Sequence, residues 1–363
     1  MNRHPLPCVH LGEHLPDTFR RGIGDATMIY VCPVHGQCSP VGRPGVARCY
    51  GCYDYIPRDP HGPSAQTMHA RSLVALAAAG EYPQDRYHGR GIVIAAGGDR
   101  YLASLWVTVH AIRHVGCNLP IEVWYLGAKR EMPPRRQRLF HGLGCTFRDG
   151  DAHRLAAGGG PLTGWPLKIY GTLHSDFEEV MFFDADSYPV VDPTFLFDCP
   201  EYRELGAMFW PESYPGADRT LRWPAFGVED PGNPVSIETG QYIVDKRDSW
   251  RPLNMAWWYA DHYEYYFRYG YGDKGAYEVA WPATGQRYAR PTDLGRWDRI
   301  AYLHTDSAGS VIIVHRCRDK FRATTGITYP MTTQHSETNI YSAWLPLEAE
   351  CWRWLEELRA KLS

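Results

Sequence analysis

The clearest pattern along the chain is the run Val180, Met181, Phe182 and Phe183, four apolar positions without polar alternation, which stops on Asp184, Ala185 and Asp186. A short apolar run of this kind predicts a central strand of a parallel sheet, covered by helices on both faces. Residues 91–96 have the same character and end on Gly97, Gly98, Asp99 and Arg100, with Leu105, Val109 and Ile112 at helical spacing behind them. Residues 121–126 predict a further strand, 133–143 a helix, and 165–174 a helix that leads into the Asp184 strand. Residues 207–210 and 242–245 predict short strands. Leu253, Ala256, Trp257, Ala260, Tyr263 and Phe267 trace one long amphipathic helix with Ser249 as its N-cap. Residues 311–314 predict a last apolar strand ending on His315, and Leu347, Cys351, Leu355, Leu358 and Leu362 form the buried stripe of a final helix.

Strands alternating with helices in this way predict an α/β fold, a mixed and mainly parallel sheet flanked by helices. The chain has 363 residues, enough for one dominant domain with an appendage. The expected division is a Cys/His-rich module over 1–62, a linker and Ala-rich helix over 63–90, the main domain over 91–330 and a helical segment over 331–363. Net charge is -3 with scattered Lys and Arg, which argues against nucleic acid as a partner. The start of the chain has no apolar signal core, and no apolar stretch is long enough to cross a bilayer, so a soluble, cytoplasmic protein is expected. Aromatics make up 13% of residues. Trp257, Tyr265 and Trp281 could line a sugar groove, but core packing accounts better for their spacing.

The ten cysteines are unevenly placed, with Cys8, Cys32, Cys38, Cys49 and Cys52 gathered at the front beside His10, His14 and His35. Cys49 and Cys52 form a C-x-x-C pair, the turn that brings two thiolates to one tetrahedral Zn²⁺. No second such pair fixes the remaining ligands. Structural zinc, free thiols and disulfides therefore all stay open for this module.

Asp184 and Asp186 flank a small residue at the end of a strand, where ligands of a parallel sheet belong. Strand alternation would turn both carboxylates to one side, presenting the hard oxygen ligands that Mg²⁺ or Mn²⁺ needs. Gly97-Gly98-Asp99 lacks the G-x-G-x-x-G and Gly-Lys-Ser fingerprints, which excludes a typical dinucleotide oxidoreductase and a P-loop enzyme. A metal on two carboxylates would instead hold a diphosphate leaving group, as in nucleotide-sugar chemistry. Asp99, at the carboxyl edge of the first strand, is placed to meet a ribose or base; a simple turn role is the alternative.

Together the pieces Trp165-Pro-Leu-Lys168, Phe182-Phe-Asp184-Ala-Asp186-Ser, Ile237-Glu238-Thr-Gly240-Gln241-Tyr-Ile-Val-Asp245-Lys246, Gly272-Asp273-Lys274 and His315 resemble the GT-A glycosyltransferases. Within them the order and spacing are similar to the alpha-mannosyltransferase family typified by the fungal MNN1 and MNN2 enzymes. That resemblance covers roughly residues 91–325. It implies that Asp184, Asp186 and His315 hold a divalent metal, Mn²⁺ or Mg²⁺, on the donor diphosphate, and imidazole beside two carboxylates favours Mn²⁺. It also implies that Lys320 and Lys168 approach the donor phosphates, with solvated surface lysines as the alternative. Glu238 and Asp273 become the catalytic candidates, Glu238 at the face of the anomeric carbon in a retaining transfer and Asp273 at the acceptor hydroxyl or simply at a helix N-cap.

The implied reaction moves a hexose, mannose being one candidate, from a nucleotide-diphosphate sugar to a glycan or other hydroxyl acceptor. Two other readings remain: a sugar-phosphate nucleotidyltransferase, and a non-catalytic scaffold whose zinc module binds a partner. The first would carry a basic, Gly-rich loop after the first strand, and Ala95-Ala-Gly-Gly-Asp-Arg100 is a poor version of one.

Overall fold

The computed structural model describes residues 30–32, 36–38, 63–212, 221–232, 235–270, 272–291, 295–297, 301–317, 320–323 and 345–362. Strands β1 (Tyr30–Cys32) and β2 (Gly36–Cys38) form a small antiparallel hairpin near the front of the chain. Cys8, Cys49 and Cys52 lie outside the described residues, and Cys32 and Cys38 are described by backbone alone, so the zinc expectation falls outside the structure.

The expected apolar runs become the middle of a six-stranded sheet in the order β5-β4-β3-β6-β9-β8. Its strands are β3 (Arg90–Ala95), β4 (Ile121–Tyr125), β5 (Cys145–Asp149), β6 (Glu179–Asp184), β8 (Ala207–Pro211) and β9 (Ile237–Asp245). β3 to β6 pair in parallel, β9 runs against β6, and β8 runs against β9. Only β9 is reversed, so the sheet is mixed and mainly parallel.

Side chains on the central strands divide between two cores, as a period of two requires. Ile92, Ile94, Met181 and Phe183 join one core with Leu102, Leu105, Val109 and Ile112 of helix α2 (Gly98–His114). Leu347, Cys351, Leu355 and Leu358 of helix α6 (Leu345–Leu362) pack into that same core. Val93, Val180 and Phe182 face the other core, made by α1 (Ala65–Ala78), α3 (Pro166–His174), α4 (Trp250–Asp261) and α5 (Lys274–Ala283). Both faces of β3 and β6 are thus covered, which is why their sequences show no polar alternation.

A second sheet, antiparallel throughout, has the order β10-β11-β12-β7. Its strands are β7 (Ser187–Pro189), β10 (Arg296–Trp297), β11 (Tyr302–Thr305) and β12 (Val311–His315). β7 follows the Asp184–Asp186 turn directly, so this sheet grows out of the end of β6.

Several expectations are corrected. The helix expected over 133–143 is one turn, Pro134–Gln137, followed by a 3-10 turn at Arg138–Phe140. Phe140 alone is buried there, too little apolar surface to hold a longer helix. The long helix through Phe267 stops at Asp261 and resumes only as Tyr263–Tyr266, because the chain turns at His262, whose ring nitrogen lies 3.0 Å from the Trp258 carbonyl. Ser249 sits at the N-cap but caps nothing, its Oγ donating instead to the Gly206 carbonyl. β9 begins at Ile237, well before the expected residue 242. Leu362 stays 45% exposed at the end of an otherwise buried stripe. Among the described residues no helix is long and apolar enough to cross a membrane.

His174 ends α3 packed against His153 and Tyr170, with its Nδ1 buried and lacking a hydrogen bond. Burial pushes its pKa down to about 3, so the folded protein holds it neutral while the unfolded chain protonates it near its ordinary value. The unfolded state then binds the extra proton, and stability rises with pH across the window from about 3 to about 6.5. His174→Gln should flatten that rise by at most about 1.4 kcal/mol per pH unit, measured by urea unfolding at a series of pH values.

Candidate active site

β6 ends at Asp184, and Ala185 and Asp186 form a turn rather than two further strand positions. Strand alternation therefore does not bring the two carboxylates together; the turn does. It is fixed from inside by Thr108 of α2, whose Oγ1 donates to the Ala185 carbonyl at 2.7 Å. The chain leaves the turn as β7, and β12 pairs with it so that His315 lies opposite Ser187. The Arg316 N–H donates to the Asp186 carbonyl at 2.8 Å, extending that register by one step. His315 Nε2 thereby comes to 3.8 Å from Asp186 Oδ2. One ligand atom each from Asp184, Asp186 and His315 lies within 4.8 Å of the others.

Two lysines meet these carboxylates. Lys168 is buried on α3, with its ammonium 3.0 Å from Asp184 and 3.0 Å from Asp273. Burial alone would lower its pKa, but the two carboxylates outweigh burial and raise it, so it stays charged. Lys320 contacts Asp186 Oδ2, and Asp186 likewise outweighs burial to raise its pKa. Neither is the solvated surface lysine that was the alternative. Burial pushes the Asp184 carboxyl above its ordinary value, with Lys168 opposing and the Asp186 charge adding.

Glu238 lies in β9 where the pairing with β8 shifts register between Phe209 and Trp210. Its Oε1 accepts the N–H groups of Thr239 at 2.9 Å and Gly240 at 2.8 Å, and sits 3.7 Å from His315 Nδ1. Burial would raise its pKa, but the His315 imidazole and the Gly240 N–H hold it below its ordinary value. Glu238 is thus a fixed negative charge behind the histidine. Asp273 does occupy the N-cap of α5, yet its carboxylate makes no cap bond and turns to Lys168. Asp99 is apart from this cluster, exposed in the first turn of α2 and paired with Arg136.

The donor set fits a divalent cation. Two carboxylate oxygens and an imidazole nitrogen suit Mn²⁺ better than Ca²⁺ or Mg²⁺. Asp184, Asp186, Glu238 and Asp273 bring four carboxylates against the two ammonium groups, an excess of negative charge that a dication would neutralise. His315 also retains a buried Nδ1 without a hydrogen bond.

Residues 89–220 match the protein-family model described as "Mannosyltransferase putative". Among curated relatives, alpha-1,2-mannosyltransferase MNN21 of Candida albicans is 25% identical over 260 residues, covering 57% of this chain and 39% of that protein. Alpha-1,2-mannosyltransferase MNN5 of Saccharomyces cerevisiae is 22% identical over 206 residues, covering 53% of this chain and 32% of the relative. The match thus spans well under half of the length of either relative. Among solved structures, the galactosyltransferase LgtC in complex with donor and acceptor sugar analogs overlaps 75% of this chain and 99% of its own, at 16% identity and a TM-score of 0.43. The segment matched by that family model includes Asp99, Lys168, Asp184 and Asp186. Glu238, Asp273, His315 and Lys320 lie beyond it and reach the carboxylate pair only through the fold.

Some contributors were not anticipated. Gly240 lies directly under His315: a Cβ there would stand 2.5 Å from both Cε1 and Nδ1 of the ring. Its neighbour Gln241 accepts from Ser187 Oγ at 3.0 Å and places its Nε2 2.9 Å from His304 Nε2. Burial lowers the His304 pKa to about 3, so that ring is neutral and accepts. The G-Q pair in the sequence was the signal for both. Gly240→Ala should displace His315 and weaken Mn²⁺ binding by about tenfold or more, read by electron paramagnetic resonance of free Mn²⁺, while the fold persists by circular dichroism.

Proposed function

We propose that the protein is a metal-dependent glycosyltransferase that moves a hexose, with mannose as the first candidate, from a nucleotide-diphosphate sugar to a hydroxyl of a glycan. The observation that carries this reading is the Asp184, Asp186 and His315 group, flanked by Lys168 and Lys320, in a chain whose 89–220 segment matches a mannosyltransferase family. The named activities of the fungal relatives support mannose as the sugar to test first.

Asp184, Asp186 and His315 would hold Mn²⁺ or Mg²⁺. When bound, such a cation supplies positive charge to the diphosphate that leaves with the nucleotide. The chain's own residues do the rest. Lys320 is a compact ammonium beside Asp186, suited to pair with a phosphate oxygen. Lys168 ties Asp184 to Asp273, so one buried charge orients a metal ligand and a candidate catalytic carboxylate together. Asp273 is held through Oδ2 at 3.0 Å from the Lys168 ammonium, which fixes its carboxylate beside Asp184. Glu238, held ionised, presents negative charge toward a developing oxocarbenium-like centre in a retaining transfer. The resemblance in the sequence supports retention, and an assay of product anomers tests it.

The purified protein with Mn²⁺ and a panel of GDP- and UDP-sugars should slowly release nucleoside diphosphate, with GDP-mannose the leading substrate; release of pyrophosphate from a nucleoside triphosphate and a sugar phosphate would replace the proposal with a nucleotidyltransferase. Asp186→Ala should weaken Mn²⁺ binding on the order of a hundredfold. Unchanged Mn²⁺ affinity would remove the metal assignment. Glu238→Gln should lower kcat on the order of a hundredfold while the donor Kd stays near wild type. Retained turnover would shift the catalytic role to Asp273.

A further inference from the structure

Gln241 stands where the alternation of β9 calls for an apolar side chain. It pairs with Phe183 of β6, one residue before Asp184, and both Phe183 and Ile243 enter the core shared with α2 and α6. The side chain is fully buried, and a buried amide is costly unless both of its ends are hydrogen-bonded. Both ends are bonded here. Oε1 accepts from Ser187 Oγ at 3.0 Å, and Nε2 lies 2.9 Å from His304 Nε2. His304 Nδ1 makes no hydrogen bond, so among the described residues Gln241 supplies the one hydrogen bond of that ring.

The two arms reach different strands of the second sheet. Ser187 opens β7 directly after Asp186, and His304 lies on β11. In that sheet β7 and β11 flank β12, whose last residue, His315, pairs with Ser187 on one side and Tyr302 on the other. One side chain of the main sheet is thus bonded to both neighbours of the strand that carries the imidazole. The rings of His304 and His315 lie 22° from parallel with their centroids 6.4 Å apart, and Gly240, the residue before Gln241, lies under His315 itself.

Asp184 ends a strand of the main sheet, whereas His315 ends a strand of the second. Their ligand atoms meet only while the two sheets keep one separation and one angle. Among the described residues no strand ladder joins β9 to β7, β11 or β12, so side chains must hold that arrangement. Trp210 and Tyr302 tie β8 to β11, at 3.0 Å to the Thr305 carbonyl and 2.9 Å to the Pro211 carbonyl, but neither reaches β7. Gln241 reaches both.

We propose that Gln241 is a positioning residue of the metal site: it fastens the second sheet to the end of the first, so that His315 is held where it can share one divalent cation with Asp184 and Asp186. This rests on the metal-dependent reading above and adds to it a side chain that sets the affinity without being a ligand. Residues that orient metal ligands in this way change affinity by about ten- to a hundredfold when removed.

The test uses the full chain, with Mn²⁺ binding read by electron paramagnetic resonance and the His315 ring resonances of the metal-free protein read by NMR. Gln241→Met keeps the length of the side chain and removes both hydrogen bonds. It should weaken Mn²⁺ binding by about tenfold and shift the His315 resonances, while the circular dichroism of the fold is kept. Ser187→Ala cuts one arm and should weaken binding by roughly threefold. The double variant should bind within about twofold of Gln241→Met alone, because the arm that Ser187→Ala removes is already gone; independent effects would multiply. The proposal is overturned if Gln241→Met binds Mn²⁺ as the wild type does, if the His315 resonances stay in place, or if the two effects multiply. Should Gln241→Met fail to fold, Ser187→Ala decides, and unchanged affinity with unmoved His315 resonances overturns the proposal. A wild type that binds no Mn²⁺ would remove the metal reading, and the metal-free resonances would still decide whether Gln241 positions His315.

Discussion

Charge compensation at the end of β6 is the constraint on which the rest of the structure depends. Two carboxylates delivered by an apolar strand into a largely covered site are unfavourable until positive charge reaches them. Each answer comes from a different part of the fold. Lys168 arrives from α3 on the Val180 and Phe182 side of the sheet, Lys320 from the segment after β12, and His315 from the end of β12 itself. The layers above and below the sheet are thereby tied to one point. Glu238 and Asp273 then add further negative charge, and the site is left with more carboxylates than ammonium groups, an excess that a dication would neutralise.

Much of this was legible in the sequence, for physical reasons. Val180 to Phe183 and residues 91–96 announced themselves because burial on both faces removes polar alternation, and α6 because a single buried stripe repeats at helical spacing. Asp184, Asp186 and His315 were picked out by their positions at strand ends and by resemblance, and the structure brings them together. The turn at Ala185 and Asp186 was hidden, since a strand that continues and a strand that turns look the same over two residues. β7 was hidden too: three residues, Ser187 to Pro189, carry no periodicity, and their pairing with β12 is long-range. Polarity concealed the start of β9, because Glu238, Thr239 and Gly240 resemble a loop although they remain in the ladder around a bulge.

Tryptophans give the opposite lesson. Spacing along α4 and α5 drew attention to Trp257 and Trp281, which the packing of those helices accounts for.

Arg316 follows His315 and is fully buried, paired with Glu348 of α6 and stacked on Phe321 at 4.2 Å. Glu348 also accepts from the Tyr188 hydroxyl of β7 at 3.1 Å. Both strands of the β7–β12 seam are therefore braced by α6, whose apolar stripe packs into the same core as α2. Because α2 also holds the Ala185 carbonyl through Thr108, these two helices together steady the turn and the strand end that carry Asp184, Asp186 and His315, and a loosening of either helix would be felt at all three side chains.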